Sequence, residues 1–456
     1  MPGMFTHEFS VDLYKGTVTV NTGLFINGRF VDPVDHETID VFNPVNGGVI
    51  TKVSVGNSKD IDIAVKAARA AFKASWGLKT PGSGRGKLLY KLAELLKKNA
   101  DAFAVTEALD VGKPFVHAKS QDVQDAIDNL RYFAGWADKN HDQTIETTEA
   151  KFAYTRHEPI GVVVGKDHSM KLSNWKIAPA LAAGNTIVLK PSEVMPLSAL
   201  KLAEPVKEAG FPDGVFNVVT GYGAVAGQVL TKHPLVGKVS FTGSTLVGRK
   251  VMETAANTNL KHVTLELGGK SPTIIFDDAD LEQTVKWVCA TIFHNSGQMC
   301  AAGSRIFVQE GIYDKFLRAF AATAASIKQG DGFKATTQQG PVVSMTQLDR
   351  VLGYIESGKQ EGACIITGGS RAEGSGYFVK PKIFADVKSD MKIVREEIFG
   401  PVAIVSKFKT EEEALEATND TDHSLSSYVF TENTLTGMAQ INQASLALLA
   451  DTIRRL

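Results

Sequence analysis

The sequence predicts an α/β fold: a parallel sheet with helices on both faces, followed by a second set of alternating strands and helices. Three observations carry this reading. Residues 160–276 alternate short apolar runs with helical patterns, as βαβ units do. The run Gly161-Val162-Val163-Val164-Gly165 has the uninterrupted apolar character of a buried strand. A second alternating series begins near Ser271 and continues toward the end of the chain.

Taken in order, 24–53 mixes Val, Ile, Phe, Gly, Asn and Pro and reads as short strands and turns, with Gly28 and Gly47-Gly48 as turn signals. The pattern then becomes helical over 60–76, where Ile61, Val65, Ala68 and Phe72 share one face. Segments 88–96, 102–109 and 122–136 also predict helices. Residues 137–158 are polar and Thr-rich, which suits an exposed hairpin. Strands are predicted at 161–165, 185–190, 215–219 and 238–241, with helices at 197–209, 224–231 and 245–258. The second series predicts strands at 271–276, 305–309, 363–367 and 401–407 and helices at 281–293, 313–327 and 348–361. A domain change is placed near Gly268-Gly269.

Composition narrows the function. The 456 residues allow two or three domains, with 43% hydrophobic and 22% charged residues. Basic and acidic residues number 49 and 50, for a net charge of -1, so nothing favours a nucleic-acid or membrane surface. The first residues lack a basic n-region and an apolar h-region, so no secretory signal is read. The three cysteines, Cys289, Cys300 and Cys364, give no disulfide framework and point to a reducing, cytoplasmic setting.

Three segments carry chemistry. In Phe241-Thr242-Gly243-Ser244-Thr245-Leu246-Val247-Gly248 a strand runs through glycine into a helix. Gly243 lets a ligand approach the backbone, and Ser244 is placed to cap the helix or bond a phosphate. Read alone, it is equally a plain capped helix. The glycines of Gly221-Tyr222-Gly223 and Gly227 are one residue off the dinucleotide fingerprint. In Leu265-Glu266-Leu267-Gly268-Gly269-Lys270, Glu266 is either a general base raised by burial or a solvated strand residue. In Gly297-Gln298-Met299-Cys300, Cys300 is either a nucleophile beside a glycine turn or an inert buried thiol.

Together these segments, with Glu396-Glu397-Ile398-Phe399-Gly400-Pro401-Val402, resemble the ordered signature series of the NAD(P)-dependent aldehyde dehydrogenase superfamily, most nearly its fungal cytosolic members. The 34-residue interval from Glu266 to Cys300 is also similar, as are Trp175-Lys176-Ile177-Ala178-Pro179-Ala180-Leu181 and Gly210-Phe211-Pro212-Asp213-Gly214. The resemblance implies a Rossmann-like NAD-binding domain at 20–136 and 159–267, and a reduced oligomerisation hairpin at 137–158. It implies an α/β catalytic domain at 268–443 and leaves a divergent tail at 444–456. It implies NAD-dependent oxidation of a small aldehyde to the acid through a cysteine thiohemiacetal and thioester, in a homo-oligomer, with no metal, and suggests a fungal metabolite pathway. Cys300 matches the nucleophile and Glu266 the base. Lys190 and Glu193 match the holders of the adenine ribose, where the acid favours NAD over NADP. Gly243, Ser244 and Gly248 fall on the pyrophosphate segment, and Glu397 and Phe399 on the nicotinamide-ribose segment.

Two departures shape the expectation. Counting back from Trp175 places Asp167 where the family carries the asparagine that is the second oxyanion donor. An ionised Asp is acceptor-only, and loss of one such donor costs on the order of 100- to 1,000-fold in rate. Lys166 or His168 offers a replacement donor, or the loop has drifted. Beyond 443 the family's substrate-lining loop and its C-terminal strand are not matched. Two functions are therefore carried: an active NAD-dependent aldehyde dehydrogenase, and a catalytically impaired relative that binds NAD or a partner.

Overall fold

The computed structural model describes residues 3–167, 169–368, 370–371 and 374–437. It divides into two compact units. The first comprises Met1–Asn43, Val49–Val111 and Phe115–Glu266; the second comprises Pro44–Gly48, Gly112–Pro114 and the chain from Leu267 onward. The tail expected at 444–456 lies outside the described residues.

In the first unit the sheet strands are β1 (Leu24–Ile26), β2 (Arg29–Val31), β3 (Val162–Asp167), β4 (Thr186–Pro191), β5 (Phe216–Val218), β6 (Val236–Gly243) and β7 (His262–Leu267). Their order is β7-β6-β3-β4-β5-β1-β2. Strands β6, β3, β4 and β5 run parallel, as the alternation predicts, while β1 joins β5 antiparallel. The β1–β2 turn is Asn27-Gly28, with φ of 50° and 74°. Positive φ at both central positions is the turn that matches strand twist, and only glycine or asparagine adopts it cheaply.

Helix α1 (Ser58–Ala74) shows why the patterned segments fold where they do. Asn57 Oδ1 accepts from the Lys59 and Asp60 N–H groups, and Asp60 returns a bond to the Asn57 N–H, closing a capping box. Ile61, Val65 and Ala68 are fully buried on the predicted face, and Phe72 is half-buried. Helices α2 (Gly82–Lys98), α3 (Ala100–Val111) and α4 (Gln124–Trp136) follow, with two short helical stretches, Phe115–His117 and Ala118–Val123, leading into α4. Helix α5 (Met170–Ala182) was not expected. It starts on Ser169, whose hydroxyl accepts the Leu172 N–H at 3.5 Å. The helix predicted over 197–209 is two, Leu197–Lys201 and Ala203–Ala209, because Pro205 has no N–H for the helix ladder. Helix α6 (Thr245–Ala256) follows β6 directly. The hairpin predicted in 137–158 is present as Thr144–Ile145 paired with Ala153–Tyr154. An N-terminal hairpin, Met4–Val11 with Tyr14–Asn21, was not anticipated.

The second unit contains strands β8 (Pro272–Ile275), β9 (Arg305–Gln309), β10 (Cys364–Thr367), β11 (Lys382–Ala385), β12 (Val402–Phe408) and β13 (Tyr428–Phe430). Their order is β10-β11-β12-β9-β8-β13, parallel except at β10–β11. Helices α7 (Leu281–Phe293), α8 (Glu310–Ser326) and α9 (Met345–Gln360) accompany it. Phe316 and Phe320 stack at 5.3 Å, and Phe293 and Phe320 at 5.6 Å, in the core that α7 and α8 share. No helix among the described residues is long and apolar enough to cross a membrane.

Candidate active site

In the first unit the carboxyl ends of β3, β4 and β6 bring predicted residues together. Lys190 is 3% exposed; its Nζ donates to the Pro191 carbonyl at 2.7 Å and to Glu193 Oε2 at 3.1 Å. Burial lowers the Lys190 pKa, and Glu193 opposes that fall. Burial pushes the Glu193 carboxyl up, but Lys190, its own N–H and the Gly223 N–H outweigh this and hold it below its ordinary value. The Gly223 N–H donates to Glu193 Oε1 at 3.3 Å. The glycine turn that fits the dinucleotide fingerprint poorly is therefore a direct partner of Glu193.

The strand–glycine–helix turn read at 241–248 forms. Strand β6 ends at Gly243, and Ser244 Oγ accepts the Val247 N–H at 3.4 Å, capping α6. A Cβ at Gly243 would stand 2.5 Å from the Phe241 ring tip, so any larger residue there displaces that ring. Gly248 is buried in the first turns of α6.

Asp167 is the last residue of β3, and only Asp167 to Ser169 separate that strand's Lys166 from α5. The Asp167 side chain and His168 lie outside the described residues. Lys166 stands directly opposite both Lys190 and Phe241 in the sheet register, with its ammonium over the Phe241 ring at 5.1 Å. The sequence offered Lys166 as an oxyanion donor; the structure groups it with Lys190 and Glu193. Glu266 is half-buried near the end of β7.

In the second unit Cys300 is half-buried and follows a sharply turned segment. Asn295, Ser296 and Gly297 have φ of 50°, 57° and 70°. Two consecutive non-glycine residues in the left-handed region cost of order 1–3 kcal/mol each and persist only when neighbours enforce them. The neighbours are identifiable. Ser296 Oγ donates to the Gly340 carbonyl at 2.6 Å, and Gln298 Nε2 to the Asn295 carbonyl at 3.1 Å. Gln298 Oε1 accepts the Val343 N–H at 2.9 Å, and Asn295 Nδ2 donates to the Gln298 carbonyl at 3.1 Å. A Cβ at Gly297 would lie 2.1 Å from the Gly400 carbonyl oxygen. On the far side, the Ala301 carbonyl accepts from Ser426 and from the Tyr428 hydroxyl, both at 2.9 Å. Cys300 is thus carried between two tethered backbone segments.

Glu397 belongs to the same unit. A small cavity lies between Glu397, Gly269, Gly297 and Met299. Glu397 Oε1 is buried with no hydrogen-bond partner among the described residues. A Cβ on Gly268 would fall 1.8 Å from Glu397 Oε2, so the glycine makes the space in which the carboxyl sits. Burial raises the Glu397 pKa against the pull of Arg350, the Gly269 N–H and Lys270. The result is a sheltered acceptor suited to a hydroxyl donor. Phe399 also has a left-handed φ of 56°, and its carbonyl accepts from Gln347 at 2.7 Å.

Lys270 was not singled out by the sequence, although it closes the Gly268-Gly269-Lys270 motif. It is 2% exposed, and its Nζ has no hydrogen-bond partner among the described residues. Burial and the Arg305 charge bring its pKa down to about 7, with Glu397 and Glu396 opposing. A lysine set between a glycine pair and a fully buried strand is a sequence signal that points to such a site.

A sequence profile described as "Aldehyde dehydrogenase family" matches residues 30–448. An aldehyde dehydrogenase of Agaricus bisporus is 56% identical over 436 residues, covering 95% of this chain and 87% of its own. One from Emericella nidulans is 51% identical, covering 94% and 86%. The structure of Bacillus cereus aldehyde dehydrogenase in complex with NAD+ superposes with a TM-score of 0.91 at 45% identity, covering 92% of this chain and 86% of that one.

Proposed function

Because the chain belongs to the aldehyde dehydrogenase family, we propose that it oxidises a small aldehyde to the carboxylic acid with NAD, through a thioester on Cys300. The observation that carries this is the strained Asn295-Ser296-Gly297 turn, enforced by four side-chain bonds, that presents Cys300. Strain maintained at this expense belongs to a site rather than to a packing position.

The residues fit the cofactor. The orphaned Glu397 Oε1 beside Gly268 is an acceptor for ribose hydroxyls. Glu193, fixed by Lys190 and the Gly223 N–H, serves the other ribose. Gly243 and Ser244 supply the close backbone approach and helix start that a pyrophosphate uses. When bound, NAD supplies the hydride acceptor that turns the cysteine adduct into a thioester.

The chain's own groups do the rest. The Cys300 thiolate forms the bond to the aldehyde carbon, and the resulting oxyanion is met by the Cys300 N–H. Glu266 takes a proton from water, the hydroxide attacks the thioester carbon, and the carbon–sulfur bond breaks to release the acid. We place the protein in the cytoplasm, on its sparse cysteines. The exposed Phe152 and Tyr154 of the 137–158 hairpin support a homo-oligomer. We further propose a role in a fungal metabolite pathway, on the resemblance to fungal aldehyde dehydrogenases alone.

The test is NADH formation from aliphatic and aromatic aldehydes, with Cys300→Ala as the control. Turnover that vanishes in the variant supports the reading; turnover equal to the control contradicts it. One feature favours a second reading, binding without turnover: Asp167 stands at the oxyanion-donor position of the motif. Calorimetric NAD binding without thiol-dependent NADH would select it.

A further inference from the structure

Two buried groups of opposite charge in the second unit lack hydrogen bonds. Lys270 Nζ and Glu397 Oε1 are both enclosed, and neither has a partner among the described residues. An enclosed ammonium or carboxylate is costly alone, and each offsets the other when the two are close. The main chain limits where Lys270 can reach. Its N–H donates to the His423 carbonyl at 2.9 Å, and its carbonyl accepts from Arg305 Nε at 2.8 Å. Glu397 is drawn to the same glycine pair. A Cβ on Gly268 would fall 1.8 Å from its Oε2, and the Gly269 N–H donates to it. Arg305, Glu396 and Glu397 are the charges that bear on Lys270. Arg305 repels it and is tied to the Thr418 and Ala417 carbonyls, at 2.8 and 3.1 Å. Glu396 is exposed and accepts the Tyr354 hydroxyl at 2.7 Å. Arg350, which also bears on Glu397, is exposed and donates to the Glu397 main-chain carbonyl at 2.8 Å. Elimination leaves Glu397 as the counter-charge of Lys270.

We propose that Lys270 is a positioning residue for NAD: its charge keeps the neighbouring Glu397 carboxyl ionised, so that both oxygens can accept the hydroxyls of the nicotinamide ribose. The inference rests on the assignment of Glu397 to that ribose. An ionised carboxylate is acceptor-only, whereas a protonated carboxyl gives up one oxygen to its own proton. Burial pushes Glu397 toward the protonated form, and Lys270 opposes that push. Lys270 thus acts through Glu397 rather than on the nucleotide. The effect is confined to a pH range. Burial and Arg305 bring the Lys270 pKa down to about 7, against Glu397 and Glu396. Below that pH the ammonium is present and supports Glu397. Well above it the side chain is neutral, and the rise in pH alone ionises Glu397.

The experiment is calorimetric titration of the full chain with ADP-ribose and with ADP, at pH about 6 and about 9, on either side of the Lys270 transition. ADP lacks the second ribose, so the ADP-to-ADP-ribose ratio of dissociation constants isolates what Glu397 contributes. Lys270→Met lowers this ratio by about tenfold at the lower pH, the scale of one charge-assisted contact. At the higher pH the variant and the wild type converge to within about twofold, because position 270 is neutral in both. A gap of equal size at both pH values, which packing damage would produce, overturns the inference, as does the absence of a gap at the lower pH. Lys270→Gln, neutral but polar, is expected to converge in the same way and decides if the methionine variant fails to fold. In a Glu397→Gln background, Lys270→Met leaves the ratio unchanged; a drop that persists there overturns the inference. If Glu397→Gln alone leaves the ratio unchanged, the ribose assignment beneath it falls as well.

Discussion

At the scale of single residues, the buried charges mark the site. Lys270 is fully enclosed, yet it is held at a pKa of about 7 rather than the ordinary lysine value. Its folded pKa lies below its unfolded one, so between the two the unfolded chain binds more protons and stability rises with pH. The opposing buried thiol of Cys289, pushed up to about 12, starts to lower stability only above the ordinary thiol range. Lys166, Lys261 and Lys382, each brought down to about 8 by burial, add to the same gain, so over pH 7 to 9 the Lys270 share is the difference between wild type and variant. There, Lys270→Met should remove up to about 2 kcal/mol of the pH-dependent gain, because one pKa unit corresponds to about 1.4 kcal/mol. Denaturant unfolding at the two pH values measures this; an identical gain in both proteins would show that Lys270 is not the titrating group. The sequence displayed Lys270 inside its motif, but only the fold shows it enclosed. Lys166 is a parallel case. Its pairing with Lys190 is a matter of strand register, and residues 24 apart in sequence reveal none of it.

At the scale of elements, the turn before Cys300 is where local cost is concentrated. Gly297 is left-handed and has a backbone carbonyl 2.1 Å from where a Cβ would be. Gly362, at a φ of 89°, has nothing within 4 Å of that position. Alanine at Gly362 should therefore cost only the backbone term, about 1 kcal/mol. Alanine at Gly297 adds displacement of the Gly400 segment. It should cost clearly more and lower NADH formation. Equal unfolding midpoints for the two variants would contradict the tethered turn. Elements with a strong period were legible in the sequence: α1 by its apolar face, and α7, predicted at 281–293 and found as Leu281–Phe293. Strands β11 and β13, of four and three residues, were too short to show a period. Helix α5 was hidden by its cap, because Ser169 lies in the stretch that departs most from the motif.

At the scale of the whole molecule, the alternation of strands and helices announced two α/β sheets, and two are found. The short segments Pro44–Gly48 and Gly112–Pro114, which belong with the second unit, carry no such signal. Their place is fixed by contacts such as the Tyr377 N–H to the Pro44 carbonyl, at 2.9 Å and across more than 300 residues. Function follows the same pattern. The order of the motifs named the chemistry, while the geometry identified what enforces it. The central claim is that Cys300 carries the acyl group and Glu266 drives its release. Glu266→Gln mixed rapidly with NAD and an aldehyde, then quenched for peptide mass spectrometry, tests this directly. A burst of about one NADH per active site and an acyl adduct on the Cys300 peptide are expected. No burst with Cys300 unmodified, or an adduct on Cys289 or Cys364 instead, would contradict it.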